Sequence, residues 1–206
     1  MYKNNIKIFL ILLFTLPLLI KAEHPDTTVA KIKTNQKLIE EASKVFDINP
    51  DILKSIIYVE RTQNYTWEDD ALDEYLAQAG LNSSIGFCQV KLKTAYWIEV
   101  QLNDSLATHF TGRKYIGKLS LSKSPKEIVS KLQNDSLNIY YAAAYLKIMQ
   151  TYWKNKGFPI DNRADILGTL YSTGLFYRDG SERRPNKNPK SNWFGKLVLK
   201  ARYLFD

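Results

Sequence analysis

A chain of 206 residues, 45% hydrophobic and 24% charged, with nine glycines and seven prolines, is long and apolar enough to pack one domain, and it is not a collagen-like, low-complexity or disordered polymer. One cysteine, Cys88, and two histidines, His24 and His109, exclude an intrachain disulfide framework and leave too few ligands for a zinc site built from Cys and His. No metal or other cofactor is therefore expected, and carboxylates must carry any acid chemistry. The formal net charge of +8 suits an anionic partner such as a cell wall, although charge of this size also serves solubility.

The first element is a leader. Lys3 and Lys7 precede an uncharged apolar run over residues 8–20, followed by Lys21, Ala22, Glu23 and His24. The run is too short for a membrane span of ~20 residues and reads as a secretory signal peptide, 1–22, cleaved after Ala22; an uncleaved anchor is the alternative. No cysteine follows the run to carry a lipid. The mature domain is then 23–206 and stays basic, because the leader removes only three lysines. Export to the periplasm, cell envelope or exterior follows, with no integral span after leader removal.

Helical periodicity dominates the rest, with no sustained alternation of the strand kind, so the fold class is all-α. Leu38, Ile39, Ala42, Val45 and Phe46 form one apolar stripe. Asn49 as cap and Pro50 at the first helical position start a second helix that runs to about Gln63. Ala71, Leu72, Tyr75, Leu76 and Ala79 mark a short acidic helix, and a turn-like stretch over 82–86 leads to a helix that includes residues 94–102. Ser124, Pro125 and Glu127 form a capping box. Asp135 is the expected cap of a long helix carrying Leu137, Tyr141, Ala144, Tyr145, Ile148, Met149 and Trp153, closed by Gly157 and Pro159. Helices are also expected over 163–171 and 193–205, with a basic loop over 178–191 between them. Nothing divides the chain into two domains.

Glu60 stands out. It lies four residues after Ile56, seven after Leu53 and eight after Ile52, which places it on the apolar face of its helix. A carboxyl group in apolar surroundings resists ionisation and can donate a proton near neutral pH, as a glycosidic general acid must. The plainer alternative is a Glu at a helix end, turned to solvent or paired with Arg61.

Four segments in order add to this: residues 50–60, ending in Glu60; Gly86, Phe87, Cys88, Gln89, Val90 with Thr94 and Ala95; Asn138, Ile139, Ala142, Ala143, Tyr145 and Leu146; and Leu170, Tyr171, Ser172, Thr173, Gly174. Together they resemble the soluble lytic transglycosylase-like (SLT) domain, a lysozyme-like fold related to goose-type lysozyme, over roughly residues 36–205. The resemblance implies that Glu60 is the sole catalytic acid/base and that Gln89 contacts the sugar or its N-acetyl group. It also implies that the backbone near Phe87 and Cys88 lines the cleft and that Tyr171 orients Glu60. The implied activity is cleavage of the β-1,4 bond between N-acetylmuramic acid and N-acetylglucosamine in peptidoglycan glycan strands, with a 1,6-anhydro product.

The sequence departs from that pattern at several points. Arg61 stands where the family has Ser, Cys88 replaces Met, Leu92 replaces Pro, and Ser172 and Thr173 replace Asn and Ala. Between Glu60 and Gly86 lies an acidic insert, Glu68, Asp69, Asp70, Asp73 and Glu74. It is either a solvated helix face or the source of a second carboxylate, which would make the enzyme a lysozyme-type hydrolase. A non-catalytic wall-binding or secretion-accessory module is the reading outside enzymes. Gln89 and Tyr171 also have plain structural readings, a loop residue bonded to backbone and a core tyrosine at helical spacing from Leu167. Cys88 reads as a small buried hydrophobe, and with only His109 to serve it, a cysteine hydrolase is disfavoured. The basic stretch 178–190 is a solvated loop or a grip on wall polymers. Envelope machinery of a secretion or conjugation system is a candidate partner, whereas nucleic acid is not, for want of any motif beyond charge.

Overall fold

The computed structural model describes residues 22–64 and 83–205; the predicted leader through residue 21 and the acidic helix over 71–79 lie outside them. The described chain is helical, in accord with the all-α expectation. Its α-helices are α1 (Pro25–Thr34), α2 (Gln36–Phe46), α3 (Pro50–Val59), α4 (Leu92–Asn103), α5 (Pro125–Gln133), α6 (Asp135–Asn155), α7 (Ala164–Thr173) and α8 (Trp193–Ala201). None of these is long and apolar enough to cross a membrane.

The start signals act as local chemistry requires. The Asn49 side chain accepts from the amides of Asp51 and Ile52, and Pro50 occupies a position whose N–H would have had no helical partner. Ser124 accepts from the Glu127 amide, but the Glu127 carboxylate reaches past the cap to the Lys123 amide, so the box is displaced by one residue. The cap of α6 is Asn134 rather than Asp135: Asn134 Oδ1 accepts from the Leu137 amide at 3.0 Å. Asp135 becomes the first helical residue, where its charge still favours the helix N-terminus.

Helix α6 is the axis of the core. Residues on every side of it are buried, among them Ile139, Tyr141, Ala144, Leu146, Ile148, Met149 and Trp153, the pattern of a helix surrounded by others. Helices α2, α4, α5 and α7 pack on it, and α8 closes the other side by packing against α7 and α3. The α7–α8 approach needs glycine: a Cβ on Gly195 would lie 2.0 Å from the Asp165 carbonyl oxygen.

Sequence periodicity misses one element that matters for the site. A two-stranded antiparallel ribbon, β1 (Ser84–Ile85) and β2 (Val90–Lys91), pairs Ser84 with Lys91 and Ile85 with Val90. Two residues per strand are too few to show an alternating pattern.

Candidate functional site

Glu60 closes α3 and opens a single π-helical turn, Glu60–Asn64, an irregularity often associated with functional sites. The helical spacing predicted for it holds. Ile52, Leu53 and Ile56 are fully buried on the same face, and Glu60 itself is only 8% exposed. Its carboxyl group emerges into a cleft of about 390 Å³, lined by Ser84, Gln89, Lys91, Thr94, Tyr145, Tyr171 and the Ser172–Gly174 stretch. Among the described lining residues Glu60 is the only carboxylate.

The wall opposite α3 is the loop between the two ribbon strands, and its shape is dictated residue by residue. Gly86 has φ +75°, and a Cβ there would meet the Leu132 carbonyl oxygen at 2.3 Å and the Asn138 amide nitrogen at 2.5 Å. Asn138, fully buried on α6, accepts from the Cys88 amide at 2.7 Å and donates to the carbonyls of Ile85 and Leu132. Tyr171, on α7, donates its phenolic proton to the Cys88 carbonyl at 2.7 Å. Burial raises its pKa well above the usual range, with Cys88, Glu60 and Tyr145 adding in the same direction, so it remains a neutral donor. Gln89 takes a left-handed backbone, φ 53°, and both its amide and its side-chain Nε2 donate to the Gly86 carbonyl.

The structure thus brings together Glu60, Gln89 and Tyr171 in one cleft and sets Phe87 and Cys88 behind its wall. Gln89 bonds backbone through Nε2, as its plain structural reading has it, and it also lines the cleft. Tyr171, expected to orient Glu60, lines the same cleft, and its phenolic proton goes to the Cys88 carbonyl and so holds the loop. Cys88 is fully buried, and burial pushes its thiol well above the ordinary range. His109 is elsewhere, 2.5 Å from Glu182 and packed among Trp97, Tyr152 and Phe176. A thiolate nucleophile has no support in this arrangement.

Several cleft residues were not singled out as site residues from sequence: Ser84, Lys91, Thr94 and Tyr145. Thr94 and Tyr145 were legible as parts of the second and third motifs, while Ser84 and Lys91 sit on the ribbon and gave no signal. Beyond Thr94, Tyr145 and Gly174 the cleft continues into a second hollow of about 340 Å³ with Lys93, Trp97, Leu175 and Phe176 on its walls, so the groove is longer than one sugar-sized pocket and has aromatic sides.

Arg61, the departure from the family pattern, is buried and turned away from solvent. Its Nε and Nη2 donate to the two carboxylate oxygens of Glu23 at 2.7 and 2.9 Å, and Nη1 donates to the Phe87 carbonyl at 3.2 Å. The Glu23 partnership, 38 residues away, could not be read from the sequence.

An all-α domain with a buried glutamate at a helix end, opening on an elongated groove, belongs to the lysozyme-like class of glycan-cleaving folds. Within it, the chain belongs to the family described as "T6SS, Peptidoglycan muramidase Tse3, catalytic domain", whose model matches residues 16–151. The match includes Glu60, the ribbon loop and Asn138, and it ends before Tyr171. It names a peptidoglycan-cleaving family, so the resemblance drawn from the motifs holds at that level and not for the SLT branch in particular. No curated protein matches the chain at the significance required of a relative.

Proposed function

We propose that this protein is a muramidase that cleaves the β-1,4 bond between N-acetylmuramic acid and N-acetylglucosamine in peptidoglycan, with Glu60 as general acid. The observation that carries the proposal is the placement of Glu60: a carboxyl group 8% exposed, on an apolar helix face, at the edge of an elongated groove, in a chain whose family is named for peptidoglycan cleavage. Glu60 protonates the glycosidic oxygen as the bond from the anomeric carbon breaks; the proton of the incoming nucleophile then goes to a second carboxylate if water attacks, or back to Glu60 if the substrate's own 6-hydroxyl attacks. Gln89 offers its side-chain carbonyl to an acetamido N–H or a sugar hydroxyl, and the aromatic sides of Trp97 and Tyr145 suit the apolar faces of neighbouring sugars.

Water is the nucleophile favoured here, since the family description is that of a muramidase. The corresponding reading is a lysozyme-type hydrolase, with Asp69, Asp70 or Asp73 of the insert as the source of the carboxylate that holds the water. A specific observation supports the second reading, the transglycosylase: Glu60 stands alone as a carboxylate among the described cleft residues. In that mechanism the substrate's own 6-hydroxyl attacks and a 1,6-anhydro end forms.

Mass spectrometry of digested glycan strands tests both. Reducing ends, together with inactivity of one Asp→Asn variant in the insert, support the hydrolase. Anhydro ends, lighter by one water, with all three Asn variants active, support the transglycosylase. The site of action follows from the substrate, namely the periplasm or another compartment where peptidoglycan is exposed. Signal cleavage after Ala22 remains part of the proposal and is checked by N-terminal sequencing of the exported protein.

A further inference from the structure

The position just after the proposed acid is occupied by a buried ion pair. Glu23 and Arg61 form a two-pronged contact, and the remaining donors around Glu23 are as well placed: Thr28 Oγ1 donates to Oε2 at 2.9 Å and Lys31 Nζ donates to Oε1. The backbone joins in, because the Glu23 amide donates to the Arg61 carbonyl at 3.1 Å. Both the side chain and the carbonyl of Arg61 are therefore held by residue 23. From there the guanidinium reaches the opposite wall, donating to the Phe87 carbonyl and lying 5.0 Å from the centre of the Phe87 ring.

A buried pair of this kind stabilises less than its contacts suggest, since removing two charges from water offsets much of their attraction. What it does supply is fixed geometry. The planar guanidinium matches a carboxylate in one orientation and is held there by paired hydrogen bonds. Here that rigidity sits on the peptide next to Glu60 and spans the space between the π-helical turn and the ribbon loop that carries Gln89. We propose that Glu23, acting through Arg61, is a positioning residue that sets the Glu60 carboxyl group and the Phe87–Gln89 loop at their working separation. The inference rests on the reading of Glu60 as the acid. Glu23, just after the predicted leader, then supports the active site from behind its wall rather than serving as a tether.

The test uses the whole chain with soluble glycan strands as substrate and compares Glu23→Gln, Arg61→Lys, the double variant Glu23→Gln/Arg61→Lys, Glu60→Gln, and Glu99→Gln as a control that disturbs a buried carboxylate outside the cleft lining. Glu23→Gln is expected to lower kcat roughly 10- to 100-fold, the size of effect that sub-ångström misplacement produces, with KM within about two-fold. Arg61→Lys should do the same, and the double variant should be no worse than either single one, because both changes break one connection. Glu99→Gln should lower thermal stability at least as much while leaving kcat near that of the wild type. Should Glu23→Gln not fold, Glu23→Asp, which keeps the charge but shortens the reach, carries the same kcat measurement.

Unchanged kcat in a folded Glu23 variant, or multiplicative losses in the double variant, overturns the positioning role. Full activity in Glu60→Gln would instead overturn the assignment of the acid, a separate result.

Discussion

Three glutamates among the described residues are withdrawn from water, and two of them, Glu99 and Glu60, differ most in what surrounds them. Glu99, on α4, is fully buried and surrounded by donors: the Ser122 amide and hydroxyl, Lys131 Nζ and the Tyr141 hydroxyl all bond its carboxylate. Burial and Glu99 together keep Tyr141 protonated, so the network works as a set of fixed donors around one carboxyl group. Glu60 is nearly as buried but opens on a groove, at the end of a helix where the backbone changes its winding. The comparison teaches that burial of a carboxylate does not make an acid catalyst. Access to a space that a substrate can fill is what separates the two.

Exchanging each glutamate sharpens that contrast most directly. Glu60→Gln should lower peptidoglycan cleavage by ~10²–10⁴-fold, the usual worth of a general acid, with the thermal midpoint close to that of the wild type. Residual turnover above a tenth, measured as released muropeptides, would end its role as the acid. Glu99→Ala should do the reverse, destabilising the fold by ~3–5 kcal/mol in urea titration because Lys131 is left without its buried partner, while the folded fraction keeps its turnover.

A loop variant should blur the distinction. Gly86→Ala must place a Cβ 2.3 Å from a carbonyl oxygen at a positive φ, so it should reduce both stability, by about 2–4 kcal/mol, and activity. Normal stability with normal activity would show that the ribbon loop can move without consequence.

The third withdrawn carboxylate gives a smaller, pH-dependent effect. Burial opposes ionisation of Glu23, but hydrogen bonds from Arg61, Lys31 and Thr28 outweigh it and bring its pKa from 4.5 down to about 2. A depressed carboxyl pKa stabilises the fold fully above the unfolded value and loses that contribution as pH falls through the folded one. Urea midpoints should therefore fall between pH about 4.5 and about 2, and the Glu23→Gln variant should show a shallower fall over that window. Equal slopes would mean the pair does not hold Glu23 ionised in the folded state. Smallest of all, Cys88→Ala should cost about 1–2 kcal/mol for a small buried side chain and leave activity within a few-fold; complete loss with an intact fold would revive a nucleophilic thiol.

Much of this was legible along the chain. The caps at Asn49 and Ser124, the proline starts of α3 and α5, and the apolar stripe that ends in Glu60 are local features, and local features fix helices wherever they occur. Some readings needed adjusting by a residue, as where Asn134 replaced Asp135 as the cap, because two neighbouring polar side chains compete for the same orphan amides. Helix α1 gave no stripe strong enough to read, and Arg61 was visible only as a departure from an expected serine.

The sequence by itself determined the fold class, the order of the described helices from α2 onward and the face on which Glu60 lies, because the helical period and the capping rules act within a few residues. Only the tertiary structure decided that Glu23 meets Arg61, that Asn138 and Tyr171 hold Cys88 from opposite ends of its peptide, and that Glu99 is satisfied while Glu60 faces a groove. Those are hydrogen bonds between residues 38, 50, 83 and 23 positions apart. Such pairings depend on where packed helices bring single donors and acceptors together, and no periodicity in the chain records that.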